Sequence, residues 1–155
     1  MFTRLALVLT AALVAQKPAA AAEMGWFSGG DELNAELRYG TADKSETPIS
    51  FWCEPARGVV YVAWEFRPAN PSEAMDVDFT LSAGGIDVPL GGVGYHVGDT
   101  GFVVESQIIY DQKFRDLIAS DGDLTATAEG KTETFPLAGA KEKAPVLLEM
   151  CERTG

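Results

Sequence analysis

The chain has 155 residues, with 12 Lys and Arg against 23 Asp and Glu, one histidine and a formal net charge of −11. So acidic a chain argues against nucleic acid and anionic lipid as partners, since both are held by basic patches. The length fits a single domain with its own core, and two cysteines with one histidine make a poor zinc site.

The chain opens on a positive Met1–Arg4 segment, an apolar run from Leu5 to Ala15, and the small-residue pattern Ala20-Ala21-Ala22 before Glu23. This order predicts a signal peptide over residues 1–22, cleaved in the mature protein. The apolar run is too short for a membrane span, which takes about 20 residues. Arg4 and Lys17 both fall in the signal, so the exported remainder, residues 23–155, is more acidic than the whole chain. The expectation is one soluble domain in the periplasm or outside the cell, with no membrane insertion.

Trp26-Phe27 is a short apolar entry broken by Gly29-Gly30. Leu33, Ala35, Leu37 and Tyr39 alternate with Asn34, Glu36 and Arg38, the period of a strand. Thr41–Thr47 is polar and reads as a loop. Ile49, Phe51 and Cys53 then share one face of a strand, opposite Ser50 and Trp52. After the Pro55–Gly58 turn, Val59–Phe66 is the strongest β run. It has Val60, Val62, Trp64 and Phe66 on one face and Val59, Tyr61 and Ala63 on the other, which predicts a central strand covered on both sides.

Pro68 and Pro71 mark Arg67–Ala74 as a loop. Val77, Phe79 and Leu81 alternate with polar residues, and Ala83-Gly84-Gly85 turns the chain into Ile86, Val88 and Leu90, a hairpin. The glycine-rich Gly91–Gly101 stretch holds at most a brief strand at Tyr95–Val97, and Phe102–Ser106 is another strand. The period then changes. Tyr110, Phe114, Leu117 and Ile118 lie on one helical face, ended by Ser120–Gly122. Leu124–Ala128 and Thr132–Leu137 form a second hairpin around Gly130-Lys131.

The last stretch carries Ala140, Ala144, Leu147, Leu148 and Cys151 at helical spacing, so Cys151 faces inward with the leucines. Pro145 removes a backbone donor, which places the start of regular helix near Ala144 after a looser turn. Cys53 and Cys151 are thus two inward cysteines in a chain predicted to be exported, and the expectation is a disulfide that ties the chain's end to its middle. The predicted fold is mainly β (α+β): an antiparallel β-sandwich or open barrel with two helices and one disulfide.

The catalytic signals are weak. A triad would have to use His96, with Ser106 and Asp99 merely near it in sequence. Ser82-Ala83-Gly84-Gly85 lacks the leading glycine of a nucleophile elbow. No Gly-Lys-Ser or Gly-Lys-Thr follows Gly91-Gly92-Val93-Gly94. Asp76, Asp78, Asp121 and Asp123 lack the spacing of a calcium loop. No catalytic residue, metal ligand or cofactor is assigned. The candidate binding anchors are Trp52 and Tyr61. Trp52 lies opposite Phe51 and Cys53, and either packs under a helix or faces solvent beside Tyr61.

The Pro48–Cys53 strand, the alternating Val59–Val62, the late helix and hairpin, and Phe135-Pro136-Leu137-Ala138-Gly139 leading into a helix that ends in Cys151 make a pattern. It resembles the small periplasmic VasI-type proteins associated with type VI secretion, and less closely the invasion-associated locus B proteins. The resemblance implies an exported, disulfide-bonded, mainly β domain without a known catalytic centre. Lys141-Glu142-Lys143 and Pro145 depart from it at the helix start, as does Glu152 after the cysteine. The function expected is a non-enzymatic binding or structural module of the envelope or secretion apparatus, with a protein or envelope component as partner. The alternative, suggested by the charge, is an exported inhibitor of a cationic hydrolase.

Overall fold

The computed structural model describes residues 23–54, 57–98 and 101–153. The expected signal, residues 1–22, and Asp99 lie outside the described residues. In chain order the elements are β1 (Met24–Gly30), β2 (Ala35–Thr41), β3 (Ile49–Cys53), β4 (Val59–Glu65), β5 (Met75–Ala83), β6 (Ile86–Val97), β7 (Gly101–Ile109), α1 (Gln112–Ala119), β8 (Asp123–Ala128), β9 (Lys131–Pro136), α2 (Ala140–Lys143) and α3 (Pro145–Glu152). The strands form one antiparallel sheet in the order β1-β2-β3-β4-β7-β6-β5-β8-β9, curled into a half-barrel. Of the two architectures expected, the molecule takes the open barrel.

The concave face holds the core. Leu37 and Phe51 meet across β2 and β3, with Val62 beyond them on β4. Trp64 and Val104 follow on β4 and β7. Phe51, Trp64 and Phe114 are wholly buried, and each such side chain contributes roughly 1.5–3 kcal/mol or more by leaving water. Helix α1 lays Phe114, Leu117 and Ile118 into this concavity. Its N-terminus is capped by the Asp111 carboxylate, which accepts from the Phe114 N–H at 3.0 Å; such a cap is worth about 1 kcal/mol.

Helix α3 covers the β2–β3 end of the concavity. Leu147, Met150 and Cys151 are buried, and Cys151 is bonded to Cys53 with the two Cα atoms 5.4 Å apart. Pro145 is the first residue of this helix, the position where a missing N–H costs least. The Tyr110 hydroxyl, at the mouth of α1, donates to the Leu148 carbonyl (3.2 Å) and the Glu152 carboxylate (3.0 Å). Arg115 pairs with the same carboxylate.

The two edge strands meet where the half-barrel curls on itself. The buried Trp26 of β1 donates its indole N–H to the Pro136 carbonyl of β9 at 2.6 Å. Tyr39 packs edge-on against Phe135, with ring centroids 5.8 Å apart.

Several features differ from the sequence expectations. Leu33 is not on the face of the second strand: it is exposed ahead of β2, with its N–H donating to the Asp31 carboxylate. Gly29-Gly30 does not break the first strand, because β1 pairs residue by residue with β2 from Met24 to Gly30. The glycine-rich stretch is not a loop with a brief strand: β6 runs unbroken through Gly91–Val97, paired with β5 as far as Gly94 and with β7 from Val93 onward. The second hairpin turns at Glu129-Gly130, both at positive φ, rather than at Gly130-Lys131. Finally, β4 is covered on one face only. Val60, Val62 and Trp64 are buried, whereas Val59, Tyr61 and Ala63 are half-buried on the outer face.

Glu65 ends β4 near two other acids. Burial first, then the Glu133 and Glu46 carboxylates, push its pKa above the ordinary value, against a lowering bond from the Thr47 backbone. The folded state therefore holds this proton more tightly than the unfolded chain. The resulting stabilisation is present in acid and is lost as pH rises through the raised pKa. Glu65→Gln should melt higher than the wild type at pH 7, with the gain shrinking toward pH 4. Paired melting curves at the two pH values check this; an equal difference at both would exclude it.

Candidate functional site

Directly opposed residues of neighbouring strands share a face, so the register defines the outer surface. Trp52 on β3 faces Tyr61 on β4. Their rings stack, with centroids 5.4 Å apart and planes 12° from parallel. Both are half-buried. Among the described residues no helix lies over them, since α3 is on the Cys53 side of the strand. Trp52 thus takes the second of the two placements open to it in sequence.

The aromatic pair borders a fork in the sheet. Strands β6 and β7 pair from Val93–Glu105 to Val97–Gly101 and no further. Beyond the fork, Ile86–Gly92 stays with β5 while Ser106–Ile109 stays with β4. At the fork the Ser106 hydroxyl donates to the Gly91 carbonyl at 2.7 Å, standing in for a ladder bond. Because Gly91 points its carbonyl at β7, Pro89, two residues back, turns the same way. Its nitrogen has no hydrogen to offer across the gap, and Pro is tolerated in a sheet where no donor is needed.

The fork opens grooves on the outer face. One of about 400 Å³ is lined by Tyr61, Gly91, Val93, Tyr95, Glu105 and Gln107. A second of about 300 Å³ runs on from Gln107 past Ile109 to Asp111 and Lys113, with Phe114 at its base. A third of about 540 Å³ lies on the other side of Pro89 and Gly91, against Asp78, Thr80 and Thr127. Ile109 and Tyr95 are exposed beside them.

The residues weighed for catalysis are not brought together. His96 pairs across the hairpin with Phe102, packs edge-on against that ring, and lies 3.3 Å from the Glu73 carboxylate through Nδ1. Ser106 is four residues further along β7, with its hydroxyl engaged by Gly91. Asp76 and Asp78 are exposed on the outer face of β5, and Asp121 and Asp123 flank the turn into β8. The groove itself is what sequence reading missed. Its walls come from three strands whose neighbourhood only the fold defines, although Pro89 inside a β run is a visible sign of an unpaired strand side.

No family model, curated protein or solved structure matches the chain. Among the described residues, no helix is long and apolar enough to cross a membrane.

Proposed function

We propose that this protein is an exported, non-enzymatic binding module of the cell envelope or secretion apparatus, working in the periplasm or outside the cell. On this reading its partner, a protein or envelope component, docks on the outer face of the sheet, with Trp52 and Tyr61 as anchors. The observation that carries the reading is the stacked, half-exposed aromatic pair beside an open groove. Rigid aromatic side chains at the border of a concavity are the residue types that dominate binding energy at interfaces. The disulfide is compatible with an oxidising compartment. The resemblance to VasI-type proteins supports the envelope and secretion setting.

The double variant Trp52→Ala/Tyr61→Ala tests the reading. Loss of two such anchors should weaken partner binding by about 2 kcal/mol or more, roughly thirtyfold, while the buried core keeps the domain folded. Envelope extract passed over immobilised wild type and variant gives the comparison, with melting curves as the control on folding. A partner retained equally by both would overturn the assignment of this face.

A further inference from the structure

The register also fixes which charges the outer face presents. The outward positions of β5, β6 and β7 carry Asp76, Asp78, Asp87 and Glu105, and no lysine or arginine. All four carboxylates are exposed, and among the described residues none of them makes an ion pair. The basic residues of this half of the chain sit off these strand positions: Lys113 and Arg115 on α1, with Lys113 at the far end of the second groove, Lys131 on β9 opposite the buried Ala128, Lys141 and Lys143 on α2, and Arg153 at the end of α3. On the far side of Trp52 the exposed Lys44 pairs with Glu36, the residue of β2 opposite Trp52, at 3.1 Å, and Arg38 of β2 is buried. Its guanidinium donates to the Thr41 and Ala42 carbonyls at 2.7 and 3.2 Å and lies over the Phe27 ring, 4.7 Å from the centroid.

A folded surface ordinarily intersperses charges of both signs, because like charges on one sheet face repel. Here Lys44 answers Glu36 beside Trp52, but among the described residues the four carboxylates around the fork are left without a paired cation. A stacked tryptophan and tyrosine take a cation on the ring face. The nearby carboxylates accept hydrogen bonds from ammonium or guanidinium groups.

We propose that the outer face docks a lysine- or arginine-bearing stretch of another protein, one cationic head over the Trp52–Tyr61 pair and others on Glu105, Asp76 and Asp78. This rests on the outer face being the binding face, and adds the chemistry of the occupant. The dimensions fit. From Tyr61 on β4 to Asp78 on β5 is three strand steps, at least about 15 Å at roughly 4.8 Å each with the middle step widened by the fork, a span that about eight extended residues cover.

The test uses the purified full chain and an acetylated, amidated octapeptide of alternating glycine and arginine, followed by amide chemical shifts. The matching glycine–glutamate peptide and cellohexaose, a neutral oligosaccharide, are the comparison ligands. The arginine peptide should shift amides around Tyr61, Glu105, Gln107 and Asp78. Its affinity should fall at least fivefold between 20 and 150 mM salt, because exposed charges are screened over about 8–10 Å at the higher concentration. Asp76→Asn/Asp78→Asn/Glu105→Gln should weaken it at least tenfold without lowering the melting temperature, since the lost charges repel one another. Arginine peptide binding no tighter than the glutamate peptide would overturn the proposal, as would cellohexaose occupying the groove independently of salt. If the peptide fails while Trp52→Ala/Tyr61→Ala still abolishes capture of an envelope partner, the occupant is wrong and the binding face stands. If capture is indifferent to that variant, the face itself is wrong.

Discussion

Removing the Cys53–Cys151 bridge by the double substitution Cys53→Ala/Cys151→Ala should lower the melting temperature by on the order of 10 °C, the equivalent of about 2–5 kcal/mol. The bond joins residues 98 apart in sequence, so it withdraws a long loop's freedom from the unfolded chain. The double variant avoids leaving one buried thiol unpaired. The loss should also be uneven. Without the bond, α3 keeps Leu147 and Met150 in the core and the Tyr110 and Arg115 contacts at its end, whereas β2 and β3 keep a full ladder on both sides. Hydrogen exchange should therefore show the amides of Leu148–Arg153 opening before those of the sheet. A variant with unchanged melting and unchanged α3 protection would mean that packing alone holds the helix.

Trp64→Ala should cost about 3–5 kcal/mol, the range for emptying a large aromatic site in a core. Trp64 is wholly buried. It stacks on Phe66 with centroids 4.6 Å apart and tilts against Phe79 at 5.5 Å. Its indole N–H donates to the Glu133 carboxylate at 2.9 Å, so the ring joins β4 to β9 across the open side of the barrel. Trp64→Phe separates the two contributions. It keeps most of the volume but leaves Glu133 without its donor, and should cost less, about 1–3 kcal/mol. Urea denaturation of both variants measures the difference. Equal losses would show that the hydrogen bond, and not the ring's volume, carries the effect.

The strands with clear two-residue periods were legible because one face of each is buried. Val77, Phe79 and Leu81 declare their strand, as Leu124, Ala126 and Ala128 declare theirs. The cysteine pairing was legible for the same reason, since both periods place sulfur on an inward face. The course of β6 was not, because glycine carries no β propensity and hides the alternation. What demands glycine there is the opposite wall. A Cβ on Gly92 would come within 2.7 Å of Val104 Cγ1 and 2.8 Å of the Glu105 carbonyl, and one on Gly94 would run into the Phe102 ring. The outer face was half legible. Trp52 and Tyr61 stood out as aromatic residues off the apolar stripe, but their stacking depends on the β3–β4 register. Asp76 and Asp78 were visible as alternating acids, yet their neighbourhood with Glu105 depends on β7 returning to lie between β4 and β6.

The hydrogen bond from Trp26 to Pro136 has a consequence for the order in which the molecule is completed. It joins residues 110 apart, the first strand to the last. A chain that emerges amino end first therefore carries an indole without an acceptor until nearly the whole sequence has followed, while the outer edge of β1, an edge of the finished sheet as well, offers its bare row of amides and carbonyls. Bare strand edges recruit other chains, and contacts this distant in sequence form slowly. Until residue 136 arrives, the β1 edge also lacks the side-chain tie that holds it beside the opposite edge.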